Sequence, residues 1–419
     1  MACAAPAGDL VTGFSTSADF IVRLYERKHC RFVLKRISIY RFRHRATALQ
    51  AITASCTVVA VLQYTHCLHK QPRAVRSRMS SALLVVMLLQ GSAAAAPSKM
   101  RPVPTSYRAL VASNAGESFR DVAKVAVVDT PTLEEDEVLI QVTYAGVNGG
   151  CETFRARGEH AFAGNKEQAD FALGAEGVGI VAAVGGEVTS VAVGDAVCFV
   201  NAAFAEYTTS KAQMLWKIPE PTPEYVGLRI SAFTSCAMLE KTGAIQKGEK
   251  VLITAAAGGA GHYAVQIAKA NGCFVVGTTS SERKARVLRE LGCDAVVNYK
   301  EEDCAEAFKK ICPYGFDVIL EGVGGRMLAA ALGALAPKGR LLQIGYISEY
   351  PHNPNAAEET AAHDLKTADL FWQKETVKRG VNDGQTIYGN AWLSDFSAVM
   401  PCKERVLGLY TTKGSSNHW

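Results

Sequence analysis

The stretch Lys250-Val-Leu-Ile-Thr-Ala-Ala-Ala-Gly-Gly-Ala-Gly-His-Tyr-Ala-Val-Gln-Ile-Ala-Lys269 decides the fold of this chain. Lys250 to Thr254 reads as a strand, and from about Gly261 to Lys269 the apolar spacing becomes helical. Ala256-Ala-Gly258-Gly259-Ala-Gly261 therefore sits on a strand-to-helix turn. It is a variant of the dinucleotide fingerprint, with Ala256 in place of the first Gly. Small residues let backbone N–H groups close on a pyrophosphate at a helix N-terminus, where the dipole favours negative charge. A helix packed tightly on a sheet also calls for Gly, so the turn takes its meaning from the elements on either side.

Outward from this turn, strands and helices alternate. Phe274 to Thr279, Ala295 to Tyr299, Phe316 to Leu320 and Gly339 to Ile344 read as further strands, with a helix over Glu282 to Leu291. Repeated βα units of this length predict a parallel, doubly wound sheet of the Rossmann type. The end of the second strand bears on the nucleotide. An NAD site places Asp or Glu there for the ribose 2′-hydroxyl. Here stand Thr278, Thr279, Ser280 and Ser281, with Arg283 and Lys284 one turn later. Hydroxyls and cations suit a 2′-phosphate, so NADP(H) is favoured over NAD. The competing reading is a plain helix start with Ser280 or Ser281 as its cap.

From 105 to 228 the texture differs: short alternating segments punctuated by Gly. Val138 to Tyr144, Gly179 to Val184 and Ala196 to Val200 read as strands, which predicts a β-rich, barrel-like domain. The expected organisation is a presequence over 1–104, this barrel over 105–228, the dinucleotide-binding domain over 229–392, and a C-terminal segment over 393–419.

The whole chain has 419 residues and 44.8 kDa, 48% apolar and 20% charged, enough to bury more than one core. Its net charge of +5 conceals an asymmetry. Residues 1–104 hold 15 Lys and Arg against 3 Asp and Glu, whereas the rest holds 30 against 37. An Arg-rich, acid-poor leader suits an organellar transit peptide, a mitochondrial one above all. Arg76 to Pro97 also reads as a signal-like basic flank, apolar run and small-residue stretch if translation starts at Met79, and a start at Met100 implies a cytoplasmic protein. Clustered cations attract phosphate, but no zinc-finger or RNA-binding motif accompanies them, and nucleic acid is not an expected partner. Twelve Cys without a C-x-x-C pair argue against a zinc ribbon or a disulfide framework, and no apolar run is long enough to span a membrane.

Taken together, the run Val251 to Lys269, the segment Gly345-Tyr-Ile-Ser-Glu-Tyr350 and Val297-Asn-Tyr-Lys300 resemble the medium-chain dehydrogenase/reductase superfamily. The likeness is to its zinc-independent branch, the quinone oxidoreductases and the prostaglandin (2-alkenal type) reductases, and it implies a GroES-like barrel before the Rossmann domain. Zinc relatives carry Cys in G-x-C-G-S-D and His in G-H-E, where this chain has Gly146-Val-Asn148 and Gly174-Ala175-Glu176. Asn and Ala replace two ligands, so no metal is expected. The resemblance implies that Ala257, Gly258, Gly259, Ala260 and Gly261 line the pyrophosphate. It places Ser280, Lys284 and Tyr299 at the 2′-phosphate and adenine, and Thr234, Gly345 and Ile347 at the nicotinamide. Gly322 stands where related reductases often carry Asn.

The implied activity is NADPH-dependent reduction of the C=C bond of an α,β-unsaturated ketone or aldehyde, with quinone reduction as the alternative. Tyr350 is the expected donor to the developing enolate oxygen, with the nicotinamide ribose 2′-hydroxyl as the other candidate, and Asn148 orients the carbonyl or the nicotinamide. The alternative for Tyr350 is a surface tyrosine beside Pro351. A homodimer is expected. In the family, the chain returns to the first domain after a sixth strand and a helix. Gln385 to Asn390 and Lys403 to Tyr410 read as these two elements, and little sequence follows. A chain that binds NADPH without turnover, or binds RNA through its basic arm, is therefore the other class of reading.

Overall fold

The computed structural model describes residues 86–87, 102–159, 171–350, 353–372, 378–380, 384–390 and 400–411, all within the compact unit Ser81–Trp419. Nearly all of the basic leader, Pro351 and residues 412–419 lie outside the described residues.

The Gly-punctuated region folds as antiparallel sheets. Its elements are β1 (Ser106–Ala112), α1 (Phe119–Val122), β2 (Ala123–Asp129), β3 (Glu137–Gly146), α2 (Gly149–Ala156), β4 (Phe171–Ala172), β5 (Glu176–Val184), β6 (Ala196–Val200), β7 (Tyr207–Lys211) and β8 (Trp216–Lys217). One sheet runs β3-β5-β6-β8 with β7 also on β3, and the other runs β2-β1-β4. Val138, Ile140 and Val142 of β3 meet Val181, Val197 and Phe199 in one buried cluster. Period-two spacing produces this, because alternate side chains share a face.

The second region begins with α3 (Ser231–Cys236), which runs into a π-helical turn over Ala237–Thr242. There follow β9 (Lys250–Ile253), α4 (Gly259–Ala270), β10 (Phe274–Thr279), α5 (Glu282–Glu290), β11 (Ala295–Asn298), α6 (Cys304–Ile311), β12 (Phe316–Glu321), α7 (Gly325–Gly333) and β13 (Leu335–Gln343). The last elements are α8 (Ala356–Thr360), α9 (Thr367–Trp372), β14 (Lys378–Gly380), β15 (Thr386–Tyr388) and α10 (Pro401–Thr411). The sheet order is β11-β10-β9-β12-β13-β15-β14. Its first six strands pair in parallel, and β14 closes the edge antiparallel. Val251 and Ile253 face one buried cluster and Leu252 the other, so helices cover both faces. Strand order reverses between β9 and β12, the switch point where such sheets take their ligand.

Three readings are refined. The helix after the glycine turn starts at Gly259, ahead of Gly261. β13 starts at Leu335, ahead of the expected Gly339, and passes through Pro337 and Lys338 with Lys338 at φ +61°. The strand expected at 385–390 is β15, and α10 buries Cys402, Val406 and Tyr410 in the core shared with α3 and α4.

Candidate active site

The glycine turn departs from regular geometry at Ala255, whose φ is +45°, a left-handed conformation uncommon outside Gly. Its neighbours hold it there. The Ala255 N–H donates to Thr278 Oγ1 (3.0 Å), the Ala256 N–H to the Thr278 carbonyl (2.9 Å) and the Gly258 N–H to the Ala255 carbonyl (2.8 Å). The turn is thus tied to β10 and aims the first turn of α4, whose N–H groups lack intrahelical partners. Gly261 lets α4 come down on the strand: a Cβ there would stand 2.5 Å from the Ala255 carbonyl oxygen.

At the end of β10, Ser281 caps α5 through a bond from the Lys284 N–H (3.4 Å). This is the capping role foreseen as the alternative for this stretch, and it leaves Ser280 and Lys284 at the strand mouth. Thr279 and Asn298 are register partners at the ends of β10 and β11. Both are buried, and among the described residues Thr279 Oγ1 and Asn298 Nδ2 have no hydrogen-bond partner. Two orphaned polar atoms side by side fit a polar nucleotide, because burying them unpaired costs about 1–3 kcal/mol each. The residues present therefore fit an NADP(H) phosphate-ribose end. Tyr299, next along, is 43% exposed and can lie over that end.

The other end of the cleft is built of side chains. Asn148 takes the N-cap position of α2 in extended geometry, and its Nδ2 donates to Glu176 Oε1 (2.9 Å) rather than capping the helix. Glu176 Oε2 accepts from the Ile230 N–H (3.0 Å), and the Ile230 carbonyl accepts from the N–H of Thr234 (2.9 Å). Across the cleft, the 345–350 loop follows β13. A Cβ on Gly149 would stand 3.8 Å from Ile347 Cδ1, and one on Gly150 would stand 3.2 Å from the Tyr350 hydroxyl oxygen. Tyr350 is 4% exposed, with rings of Phe154 at 4.9 Å and Tyr346 at 4.7 Å, so the surface reading is corrected: residues from both halves bury it. Burial pushes its phenol well above the usual range, which keeps it protonated as a donor.

Of the residues named from sequence, Asn148, Thr234, Gly345, Ile347 and Tyr350 converge on this end. Ala257, Gly258, Gly259, Ala260, Gly261, Ser280, Lys284 and Tyr299 lie along the strand mouths. Four buried carboxylates went unread. Burial raises Glu152, Glu176 and Glu321 to about 7, in each case partly offset by hydrogen bonds to the carboxylate. Glu321 accepts from the N–H groups of Val323 (2.8 Å) and Gly324 (3.1 Å). Glu349 holds the Tyr350 loop by accepting from the Gly325 N–H (2.8 Å), from Thr367 and from His363 Nε2 (2.8 Å). His363 Nδ1 accepts from the Leu365 N–H, which puts the ring proton on Nε2. Glu176 and Glu349 stood in quoted motifs, without a role of their own; Glu152 and Glu321 did not, and acidic residues read as solvated surface.

Zinc does not fit these residues. Asn148 turns its amide nitrogen to Glu176, Ala175 offers no donor atom, and among the described residues no group of three His, Cys, Asp or Glu is arranged to hold a metal ion.

Residues 259–386 match the family model described as zinc-binding dehydrogenase, and residues 134–220 that of the alcohol dehydrogenase GroES-like domain. Prostaglandin reductase-3 of Mus musculus is 34% identical over 312 residues, covering 74% of this chain and 78% of that protein. A probable quinone oxidoreductase of Leishmania amazonensis is 38% identical over 250 residues, covering 59% and 72%. Among solved structures, a mycobacterial protein in complex with NADPH aligns with a TM-score of 0.57 at 24% identity, covering 72% of this chain and 88% of that one, a likeness of fold. The barrel, the six parallel strands and the glycine turn agree with these matches: the chain belongs to the medium-chain dehydrogenase/reductase family, in its quinone oxidoreductase and prostaglandin reductase branch, and is an oxidoreductase of that type.

Proposed function

We propose that this protein is an NADPH-dependent reductase of the C=C bond of α,β-unsaturated ketones and aldehydes. The observation that carries the reading is Tyr350, a buried phenol held protonated at the carboxyl ends of the strands and facing the turn that bears Asn148. The relative named prostaglandin reductase-3 supports the alkene, and the mycobacterial complex with NADPH supports the nucleotide.

The backbone of Ala257, Gly258, Gly259, Ala260 and Gly261 would hold the pyrophosphate, and Lys284 and Ser280 the 2′-phosphate. Tyr299 would flank the adenine, and Thr234, Gly345 and Ile347 the nicotinamide. NADPH bound there supplies the hydride. The chain's own part is positioning and hydrogen bonding. Tyr350 donates to the carbonyl oxygen of the substrate as negative charge gathers on it. A donor aimed where charge develops contributes about 3–4 kcal/mol in a site shielded from water. Phe154, Tyr346 and Phe371, packed around Tyr350, provide that shielding.

Quinone reduction is the second reading, favoured by the Leishmania relative. The test is oxidation of NADPH and NADH by the purified protein, offered a medium-chain enone and a quinone side by side. Saturable, NADPH-only turnover of the enone is expected. Turnover of the quinone alone would transfer the reading to the second class, and tight NADPH binding without turnover of either would reject both.

A further inference from the structure

We propose that Glu176 is the positioning residue of this cleft, holding Asn148 of the barrel and the Thr234 helix of the dinucleotide half in one fixed relation. The inference deepens the function proposed above and rests on it. Glu176 is 2% exposed and lies on β5, yet its two oxygens serve two separate parts of the chain. Oε1 accepts from Asn148, 28 residues back, and Oε2 from the Ile230 N–H, 54 residues on. Ile230 is the N-cap residue of α3, and its carbonyl accepts from Thr234 one turn later. One carboxylate therefore sets both the amide of Asn148 and the first turn that bears Thr234.

The bond also settles which way the Asn148 amide faces. With Nδ2 on an anionic oxygen, Oδ1 must point elsewhere; a turned amide would set oxygen against oxygen. Other charged or titratable groups act on Glu176 from every neighbouring element. Glu152 and Cys151 lie on α2, Cys198 on β6 and Tyr263 on α4, and Arg229 stacks on Trp216 at 4.5 Å. Arg229 is the one cation among them and offsets part of the cost of burying the carboxylate. A carboxylate is required because both of its partners are donors. A glutamine has one acceptor oxygen, so its NH2 would face either Asn148 Nδ2 or the Ile230 N–H unless the Asn148 amide turned over.

The test compares wild type, Glu176→Gln, Asn148→Ala and the double variant. For each, the melting temperature, the NADPH Kd from fluorescence quenching and kcat on the enone are measured. Glu176→Gln is expected to melt within a few degrees of wild type and to bind NADPH within about threefold, while kcat falls tenfold or more. In the Asn148→Ala background the same change is expected to cost less than twofold, because the amide is already gone and the one glutamine oxygen can serve the Ile230 N–H that holds the Thr234 turn. Wild-type kcat is also expected to fall below about pH 7, where Glu176 gains a proton and loses one of its two acceptors, and Glu176→Gln is expected to lack that limb.

A readout independent of turnover is the Asn148 side-chain NH2 signal in 15N-labelled protein with NADPH, assigned by its loss in Asn148→Ala. It is expected to shift in Glu176→Gln. If wild type reduces no enone but this signal shifts, the proposed activity fails while the positioning role stands. An equal kcat loss in both backgrounds, or an unmoved signal, overturns the positioning role. So does loss of the fold in both Glu176→Gln and Glu176→Asp, which would make Glu176 a stability residue alone.

Discussion

The two ends of the cleft are built from different materials. At the strand mouths, backbone N–H groups, small hydroxyls and a half-buried lysine wait along a single turn and two strand ends. At the other end, half-buried Asn148 bonds buried Glu176, and buried Tyr350 packs beside Gly150 of the same turn, three separate parts of the chain with raised pKa values at Glu176 and Tyr350. The first end depends on what the main chain does locally, and the second on which side chains the fold brings together. Binding and chemistry should therefore break separately.

The hardest blow falls on the first end. Gly261→Val places a side chain 2.5 Å from the Ala255 carbonyl and 2.6 Å from Ala256 Cα, with backbone on both sides that cannot yield. Overpacking of this kind costs about 3 kcal/mol or more. A thermal melt should show a loss of well over 5 °C together with loss of NADPH binding. If α4 tolerates the side chain, the tight strand–helix contact is not what shapes the turn.

Next in size is Tyr350→Phe, confined to the second end. It keeps the ring against Phe154 and Tyr346 and removes only the hydroxyl. Enone kcat should fall about 100-fold while the NADPH Kd stays put, since one donor aimed at a developing oxyanion is worth roughly that much. An unchanged kcat would make the nicotinamide ribose the donor instead. At the first end, Lys284→Ala should weaken NADPH about tenfold, equivalent to about 1.4 kcal/mol, and leave NADH unchanged. Equal weakening of both nucleotides would detach Lys284 from the 2′-phosphate.

The last effect concerns stability and leaves activity aside. Burial raises Glu152 to about 7, above its ordinary value of 4.5. The folded state therefore prefers the protonated carboxyl, and this contribution is complete below pH 4.5 and lost as pH rises through 7. Glu152→Gln has no such loss, so its melting temperature relative to wild type should rise between pH 5 and pH 8. The difference should be a few degrees, from at most about 3 kcal/mol. A gap that does not change with pH would mean that Glu152 is ionised without penalty in the fold.

The same contrast explains what the sequence made legible. Strand, small-residue turn and helix are consecutive, so β9, α4 and the order of βα units follow from local pattern, and β15 and α10 show the same alternation and periodicity. Ala255's left-handed backbone has no sequence signal, because it is imposed by bonds to Thr278, 23 residues away. The site residues known from resemblance were nameable, but their partners were not. Glu176 joins Asn148 to Ile230 through contacts that no spacing rule encodes, and Glu349 fixes the Tyr350 loop through His363 and Thr367 of a later segment. A buried acid looks like a surface acid until the fold closes over it.

The most direct measurement is the fate of the transferred hydrogen. NADPH carrying deuterium at its transferable position should leave one deuterium on the β-carbon of the saturated ketone formed from the enone. Deuterium on the carbonyl carbon of an allylic alcohol, or no labelled product alongside a reduced quinone, would contradict the account.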